Sequence, residues 1–268
     1  MGAVAEPPLP GRHHLDDPET TDRIHREIIA RKPFLRALYK EYYQAFGNML
    51  PVRPSEKGPI AGPSSRPTIV ELGSGGGFLK EVLPGAITSD VMALSGIDVR
   101  MSGTALPFRA QSVDAFFLLD TFHHIPAVAG FLAEVDRCLK KGGILAMMEP
   151  ANTAWGRFVY RNFHHEPFEP GSGWEFASTG PLSSANGALP WIVFARDRAR
   201  FAKDYPRLRL IRFQAHMPFR YLLSGGFSKP QLAPSFSFPL WGLLERLLSP
   251  LSPWLGMFYW IVVEKTGD

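Results

Sequence analysis

The chain has 268 residues, of which 45% are hydrophobic and 20% are charged, so it can bury one large core. Its formal net charge of +4 is spread thinly, whereas a dedicated nucleic-acid binder concentrates basic residues on one face or in a tail. The single cysteine, Cys138, excludes an internal disulfide, and the N-terminus, with its prolines and early acids, does not resemble a secretion signal. We therefore expect a cytoplasmic protein without a nucleic-acid partner.

The first quarter of the chain predicts two helices followed by a linker. Helical patterns cover Thr21–Ala30 and Pro33–Phe46, and residues 51–67 contain five prolines and two glycines. We therefore expect an N-terminal part of leader, helices and linker over residues 1–66, and a second domain over residues 67–268.

Beyond Thr68, short apolar strands alternate with helices. The predicted strands are Thr68–Leu72, Ala86–Asp90, Ile97–Arg100, Val113–Asp120 and Ile144–Glu149, with two more near residues 207–215 and 258–265. The predicted helices run from about Gly77 to Val82 and from about Val128 to Lys140, and "KKGG" (140–143) closes the second. This alternation is typical of an α/β fold with a doubly wound, mostly parallel sheet.

A glycine-rich loop follows the first predicted strand. Four glycines, Gly73, Gly75, Gly76 and Gly77, come directly after a strand that includes Glu71. Such a loop lets a ligand approach the backbone at the carboxyl edge of a sheet, although an ordinary turn would use the same residues. A dinucleotide fingerprint starting at Gly73 needs a glycine at position 78, where the chain has phenylalanine.

The pattern E-x-G-x-G-x-G resembles the first motif of class I S-adenosylmethionine-dependent methyltransferases. The segments "GTALPF" (103–108), "LLDTFHHI" (118–125) and "CLKKGGILAMMEP" (138–150) are similar to later segments of that family, so the resemblance spans residues 69–150. It implies a Rossmann-like seven-stranded sheet, with the last two strands antiparallel, and S-adenosylmethionine as cofactor. The cofactor contacts that it implies are Glu71, Gly73, Ser74, Gly75, Gly77, Asp90, Met92, Thr104, Ala105, Leu106 and Asp120.

Three of these residues have an implied role. The resemblance makes Glu71 the partner of the cofactor ammonium group and Asp90 the acceptor of hydrogen bonds from both ribose hydroxyls, while Met92 would lie against adenine. The family has an acid for the adenine amino group where this chain has Ser102, so adenine recognition would depend on backbone groups or on Asp98.

Two groups of polar residues are candidates for catalysis. They are His123 and His124, after the fourth strand, and His164, His165 and Glu166, in the segment after "MMEP". A general base accelerates methyl transfer if the acceptor is a hydroxyl, but local packing or a polar lid contact are the alternatives for each group. No metal is expected, because neighbouring side chains such as His164 and His165 point apart in regular structure.

The C-terminal half carries two insertions that bear on the acceptor. Residues 151–205 are rich in aromatic residues and form either a second small core or an acceptor pocket. Residues 217–256 are apolar and form a lid, a membrane contact or a partner surface. Residues 247–263 lack charge, but Pro250 and Pro253 favour a loop and a buried strand over a spanning helix.

These features predict methyl transfer to a small-molecule or lipid-linked acceptor, with an oxygen nucleophile favoured. Basic residues on the N-terminal helices would suit peripheral contact with the inner face of a membrane, although solvated helix faces look the same. They are Arg23, Arg26, Arg31, Lys32, Arg36 and Lys40. A noncatalytic protein using the fold as a scaffold and a nicotinamide-dependent oxidoreductase are the alternatives, and the oligomeric state stays open.

Overall fold

Seven strands form a single sheet in the computed structural model, which describes residues 16–50, 66–76, 78–164 and 166–267. The strands are β1 (Ile69–Leu72), β2 (Ile87–Asp90), β3 (Val99–Arg100), β4 (Val113–Leu119), β5 (Leu139–Pro150), β6 (Leu208–His216) and β7 (Phe258–Lys265). Their spatial order is β3-β2-β1-β4-β5-β7-β6. This order confirms the predicted doubly wound, mostly parallel seven-stranded fold.

Helices flank the sheet. Two of them precede its first strand, and the others lie between later strands. The helices are α1 (Pro18–Arg31), α2 (Pro33–Asn48), α3 (Val128–Cys138), α4 (Ala154–Phe163), α5 (Leu189–Trp191), α6 (Arg198–Asp204), α7 (Arg220–Ser224), α8 (Phe238–Leu247) and α9 (Ser252–Leu255). The predicted N-terminal helices are confirmed as α1 and α2, and the predicted linker lies almost entirely outside the described residues.

The strands β1 and β4 are buried along their whole length, which explains their mostly apolar sequences. β4 pairs in parallel with β1 and β5, and every residue of β4 is buried. β7 runs antiparallel to both β5 and β6, as the resemblance implies. The carboxyl ends of β1, β2, β4 and β5 therefore lie at one edge of the sheet, where ligands of such folds bind.

One predicted helix is much shorter in the structure. Only Leu79–Glu81 forms a 3-10 turn, where a helix from about Gly77 to Val82 is predicted. Pro84 restricts Leu83 to extended backbone and so limits helix growth, and β2 begins at Ile87.

The segment "KKGG" does not close a helix, so that prediction is wrong. α3 ends at Cys138, and residues 139–143 already belong to β5, which pairs with β4 through a register shift near Val113. Gly142 has a φ of 77°, a value that glycine adopts without strain. Gly142 and Gly143 therefore lie in the irregular first part of β5.

The N-terminal helices share one core with the sheet. Phe46 of α2 stacks on Phe117 of β4 at a centroid distance of 4.7 Å, and its other edge meets Trp260 of β7 at 5.3 Å. The buried Lys32, between α1 and α2, donates from Nζ to the carbonyl oxygens of Gly226 and Lys229. These contacts join the start of the chain to the segment between β6 and β7, while the division at residue 66 stays a prediction.

The uncharged stretch at residues 247–263 contains two short helical turns and then the buried strand β7. The prediction of a buried strand in this stretch is therefore confirmed. None of the described helices combines the length and the hydropathy that a membrane span needs.

Candidate active site

A cavity of 990 Å³ opens at the carboxyl edge of the sheet. Its walls come from the glycine loop after β1, the loops after β2 and β4, and the 151–205 segment, while α1 and α2 cover it with Ile24, His25, Tyr39 and Tyr43. The volume lies at the upper end of the range of about 300–1,000 Å³ that small-molecule sites occupy. The cavity has room for a cofactor together with an acceptor group.

The glycine loop packs too tightly for any side chain at its first position. A Cβ atom on Gly73 would lie 2.3 Å from Cγ2 of Thr121, and the residue has a φ of 73°. Gly73 therefore brings the loop backbone against the start of the loop after β4. Both segments line the cavity, so a ligand there meets backbone atoms directly.

Glu71 is a buried acid directly before this loop. Its Oε2 atom has no hydrogen-bond partner among the described residues. Burial raises the pKa of Glu71 to about 7, although the hydroxyls of Ser74 and Tyr43 counteract the shift. A buried acid with an unused oxygen fits a cationic ligand group such as the ammonium of S-adenosylmethionine.

Asp90 ends β2 and lines the cavity, whereas Glu71 is not among the residues that line it. Its Oδ2 accepts from the backbone N–H of Gly75 at 3.1 Å, and its Oδ1 accepts from the N–H of Met92 at 2.9 Å. Burial raises the pKa of Asp90, and these backbone hydrogen bonds oppose the shift. Each oxygen keeps lone pairs for further donors, as two ribose hydroxyls require.

The other implied cofactor residues divide into two groups. Gly73, Ser74, Gly75, Met92, Thr104 and Asp120 line the cavity. Ala105 and Leu106 are not among its lining residues: Leu106 is buried in the core and its N–H donates to Oε2 of Glu134 at 2.8 Å. Gly77 lies outside the described residues.

The structure does not support Asp98 as an adenine contact. Its carboxylate accepts from Lys80 Nζ and from the N–H of Thr88, and Asp98 is not among the residues that line the cavity. Ser102, which stands where the family has an acid, does line the cavity, and its hydroxyl lies 2.9 Å from that of Thr104.

The catalytic candidates form a compact cluster beside the cavity. His123 is buried, with Nδ1 2.7 Å from Oε2 of Glu149 and Nε2 3.1 Å from Oε2 of Glu166. His124 Nδ1 donates to the carbonyl oxygen of Ser184 at 3.1 Å, and its Nε2 lies 3.4 Å from Oε1 of Glu166. Both histidines therefore point Nε2 at one carboxylate.

The two histidine groups predicted separately meet in this way, because the segment after β5 folds back onto the loop after β4. His124, His164 and Glu166 line the cavity, whereas His123 lies behind them. His164 Nδ1 is 3.7 Å from Glu166 Oε2, and His165 lies outside the described residues.

The cluster shifts the pKa values of its members in opposite directions. Burial would lower the pKa of His123, but hydrogen bonds and charge from Glu149 and Glu166 outweigh it and raise that pKa well above its usual range. Burial would raise the pKa of Glu166, but His123 and His124 bring it well below the usual range. Burial raises the pKa of Asp120, at the cluster edge, to about 6.

Sequence reasoning missed Glu149, which organises the cluster. Its Oε1 accepts from the backbone N–H groups of Thr121 and Phe122 at 2.9 and 2.7 Å, and its Oε2 faces His123. The available signal was its position at the carboxyl end of a buried strand, in the "EP" pair of "MMEP". Tyr39 and Tyr43 were missed because they belong to a helix far from the motif in sequence.

Comparisons with known proteins concern the family and the fold of the chain. Residues 70–147 match the family model described as "Methyltransferase domain". A search of curated proteins finds no significant match to the chain. Neither the scaffold alternative nor the nicotinamide alternative is favoured by the family match.

Among solved structures, a Thermotoga maritima protein described as a SAM-dependent methyltransferase, possible histamine N-methyltransferase, has a TM-score of 0.51 and 14% identity, and the match covers 96% of this chain and 97% of that one. A geranyl diphosphate C-methyltransferase from Streptomyces coelicolor A3(2) has a TM-score of 0.47 and 15% identity, with 95% and 88% covered.

The likeness to the Thermotoga maritima protein concerns the fold alone. The family model matches residues 70–147, a range that includes the glycine loop, Asp90 and the loop with His123. Residues 70–147 of the chain are therefore a class I methyltransferase domain, which uses S-adenosylmethionine as its cofactor.

Proposed function

We propose that the protein transfers the methyl group of S-adenosylmethionine to an oxygen atom of a small-molecule or lipid-linked acceptor. One observation carries this proposal: the glycine loop, Asp90, His124 and Glu166 all line a single cavity. A methyl donor bound along the loop would thus lie in the same space as polar groups able to position and deprotonate a hydroxyl.

The cofactor side of the cavity would hold the donor through three kinds of contact. In this proposal Glu71 pairs with the ammonium group, Asp90 accepts from the ribose hydroxyls, and Met92 packs on adenine, as the family resemblance implies. When bound, the cofactor supplies an electrophilic methyl group on a sulfonium. The protein's own residues bind it and exclude water, since α1 and α2 cover the cavity.

The acceptor side favours an oxygen nucleophile. A hydroxyl must lose its proton during methyl transfer, and general base catalysis typically contributes about 10²-fold to 10⁴-fold. His124 and Glu166 offer acceptor atoms on the cavity wall, and Glu149 and Ser184 hold the two histidines in place.

Support for a lipid-linked acceptor comes from an exposed apolar surface. Its members are Phe158, Phe163, Phe236, Leu240, Leu243, Leu244, Leu247, Leu251 and Trp254. They belong to α4, α8, α9 and the turns between them, and α4 packs on α9. Phe236 is 87% exposed and Leu247 70%, values typical of residues that contact a membrane or a partner.

The charges around the apolar surface match an anionic bilayer. Between residues 230 and 255 the charged residues are Glu245 and Arg246; Glu245 is buried and pairs with Arg220 at 2.6 Å, which leaves Arg246 exposed. Arg157 and Arg161 of α4 are exposed nearby. Phe163 belongs to both the apolar surface and the cavity wall, so an acceptor could pass from the bilayer into the site.

The membrane contact proposed here differs from the one the sequence suggested. Three of the basic residues on α1 and α2 are engaged within the protein: Arg26 with Asp22, Lys32 with Gly226, and Arg36 with Glu81. The exposed apolar surface, which belongs to the second half of the chain, is the better candidate.

The test supplies the protein with S-adenosylmethionine carrying an isotope-labelled methyl group, together with a total lipid extract or a small-molecule fraction. We expect label in an organic product whose carbon chemical shift identifies an oxygen-bound methyl group. Asp90→Ala should bind the cofactor at least about tenfold more weakly and label less product. Folded protein that neither binds the cofactor nor labels a product would instead support the scaffold alternative, and a nitrogen-bound or carbon-bound methyl would contradict the oxygen acceptor.

A further inference from the structure

In the histidine and carboxylate cluster, the imidazoles of His123 and His124 both direct Nε2 at the carboxylate of Glu166. His124 Nδ1 faces a backbone carbonyl, Ser184 O, which can only accept, so Nδ1 carries the proton. Its Nε2 then has a lone pair, which points at Oε1 of Glu166 at 3.4 Å. A lone pair and a carboxylate oxygen repel each other unless a cation or a proton lies between them.

His123 repeats this arrangement on the other oxygen of the same carboxylate. Glu149 already accepts from backbone N–H groups, so it acts as an acceptor for His123 Nδ1–H at 2.7 Å as well. Nε2 of His123 then faces Oε2 of Glu166 at 3.1 Å, where either a proton on Nε2 or a bound cation can join the two atoms. Both imidazoles thus have Nδ1 held by an acceptor and Nε2 directed inward, the arrangement that outer residues impose on metal-binding histidines.

From this geometry we propose that His123, His124 and Glu166 bind one divalent transition-metal ion. The three ligand atoms lie within 4.8 Å of one another. An ion with bonds of about 2.0–2.1 Å separates its tetrahedral ligands by roughly 3.3 Å, and the Nε2 atoms of His123 and His124 lie 3.1 and 3.4 Å from the Glu166 oxygens that they face. Two imidazoles and one carboxylate suit zinc, with a fourth position open to another ligand.

The surroundings provide charge and orientation for such an ion. Asp120, Glu149 and Glu166 place three carboxyl groups around two imidazoles, so a divalent cation offsets a local excess of negative charge. The objection that neighbouring side chains diverge does not hold for His123 and His124, because they lie in a 3-10 turn with ring centroids 4.3 Å apart.

The open position would face the cavity, since His124 and Glu166 line it and His123 lies behind them. A hydroxyl bound to the ion there would lose its proton more easily and be held near the methyl donor. This use rests on the proposed function, whereas metal binding itself does not.

The test uses full-length protein without a polyhistidine tag, freed of metal with a chelator and titrated calorimetrically with zinc chloride. Cobalt(II) serves as a second probe because its visible absorption reports the ligand geometry. We expect one ion per chain, with at least about 100-fold weaker binding in His124→Gln and in Glu166→Gln, and about 10-fold to 100-fold weaker binding in Glu149→Gln.

Glu175→Gln is the matched control, because Glu175 is an exposed carboxylate in the same segment of the chain as Glu166. It should bind zinc as the wild type does. Titration of S-adenosylmethionine into the metal-free samples shows whether each variant is folded and keeps its cofactor site, independently of metal. Wild-type protein that binds no zinc, or ligand variants that bind it as tightly as wild type, would overturn the metal site and leave the methyltransferase proposal standing.

Discussion

Glu71 is the residue predicted to contact the ammonium group of the cofactor, and its ionisation makes that predicted contact dependent on pH. Its carboxyl group is enclosed, its Oε2 atom has no partner among the described residues, and burial raises its pKa to about 7. The unliganded protein therefore carries a largely neutral Glu71 below that pH. A cationic ligand group needs the ionised form.

We accordingly predict that affinity for S-adenosylmethionine rises as the pH increases from 5.5 to 7, by up to about tenfold per pH unit. Glu71→Gln should bind more weakly at pH 7 and lose this dependence, because an amide does not ionise. Isothermal titration at several pH values measures both effects. A variant with the wild-type pH profile would show that another group binds the ammonium.

The carboxyl group of Glu71 also affects the free energy of unfolding of the protein in the absence of a ligand. The pKa of Glu71 in the folded protein lies above its ordinary value of 4.5, so the folded state holds an extra proton between about pH 4.5 and 7. Stability from this group is complete below 4.5 and is lost as the pH rises through 7. The unfolding free energy of Glu71→Gln should therefore decline less over this range than that of the wild type.

At the scale of elements, α1 connects the cavity to the loop after β2. Arg26 pairs with Asp22 at 2.7 Å and donates to the carbonyl oxygen of Ser95, and His25 packs over Gly75 and Gly76. Because this loop follows Asp90, the helix covers the glycine loop and is anchored beside the proposed ribose contact.

Removing the anchor should release the cofactor faster. We predict that Arg26→Ala increases the dissociation rate of S-adenosylmethionine about 1.4-fold to 5-fold, as expected for a partly exposed contact worth about 0.2–1 kcal/mol. Stopped-flow displacement measures the rate. Arg23→Ala, on the exposed face of the same helix, should leave it unchanged; equal effects of the two variants would indicate a general loss of helix charge.

At the scale of the whole molecule, the apolar surface and the cavity share one side of the fold. Phe163 belongs to both, and α4 and α9 connect them. The N-terminal helices contact the same region through Lys32 and through the ring of Phe34 against Phe238. The N-terminal helices that cover the cavity, the cavity wall and the apolar surface are therefore connected through these contacts.

This arrangement predicts binding to vesicles that contain anionic phospholipid. Leu243→Ser with Leu247→Ser should weaken binding about 10-fold to 100-fold, because two exposed leucines would no longer enter the bilayer, and raised salt should weaken it further. Co-flotation with vesicles measures the bound fraction. Ile211→Ser removes an exposed apolar residue from β6 and should have no effect; a wild-type protein that stays with the aqueous phase at low salt would contradict the membrane contact.

The sequence by itself determined the sheet and the glycine loop, and its resemblance to a known family indicated the cofactor class, while the individual cofactor contacts stay predictions. These features depend on local patterns: apolar runs that become buried strands, a glycine at Gly73 where no Cβ fits, and acids at strand ends such as Asp90. Strand periodicity and turn chemistry act over a few residues, so they can be read without knowledge of the fold.

Only the tertiary structure decided which distant residues meet. Glu149 and Glu166 converge on His123 across 26 and 43 positions, and Lys32 reaches Gly226 across 194. No local pattern encodes such pairings, since they depend on how helices and loops pack on a finished sheet. For the same reason "KKGG" is a strand start and the N-terminal helices cover the cavity: burial and pairing with β4, not local propensity, determined their roles.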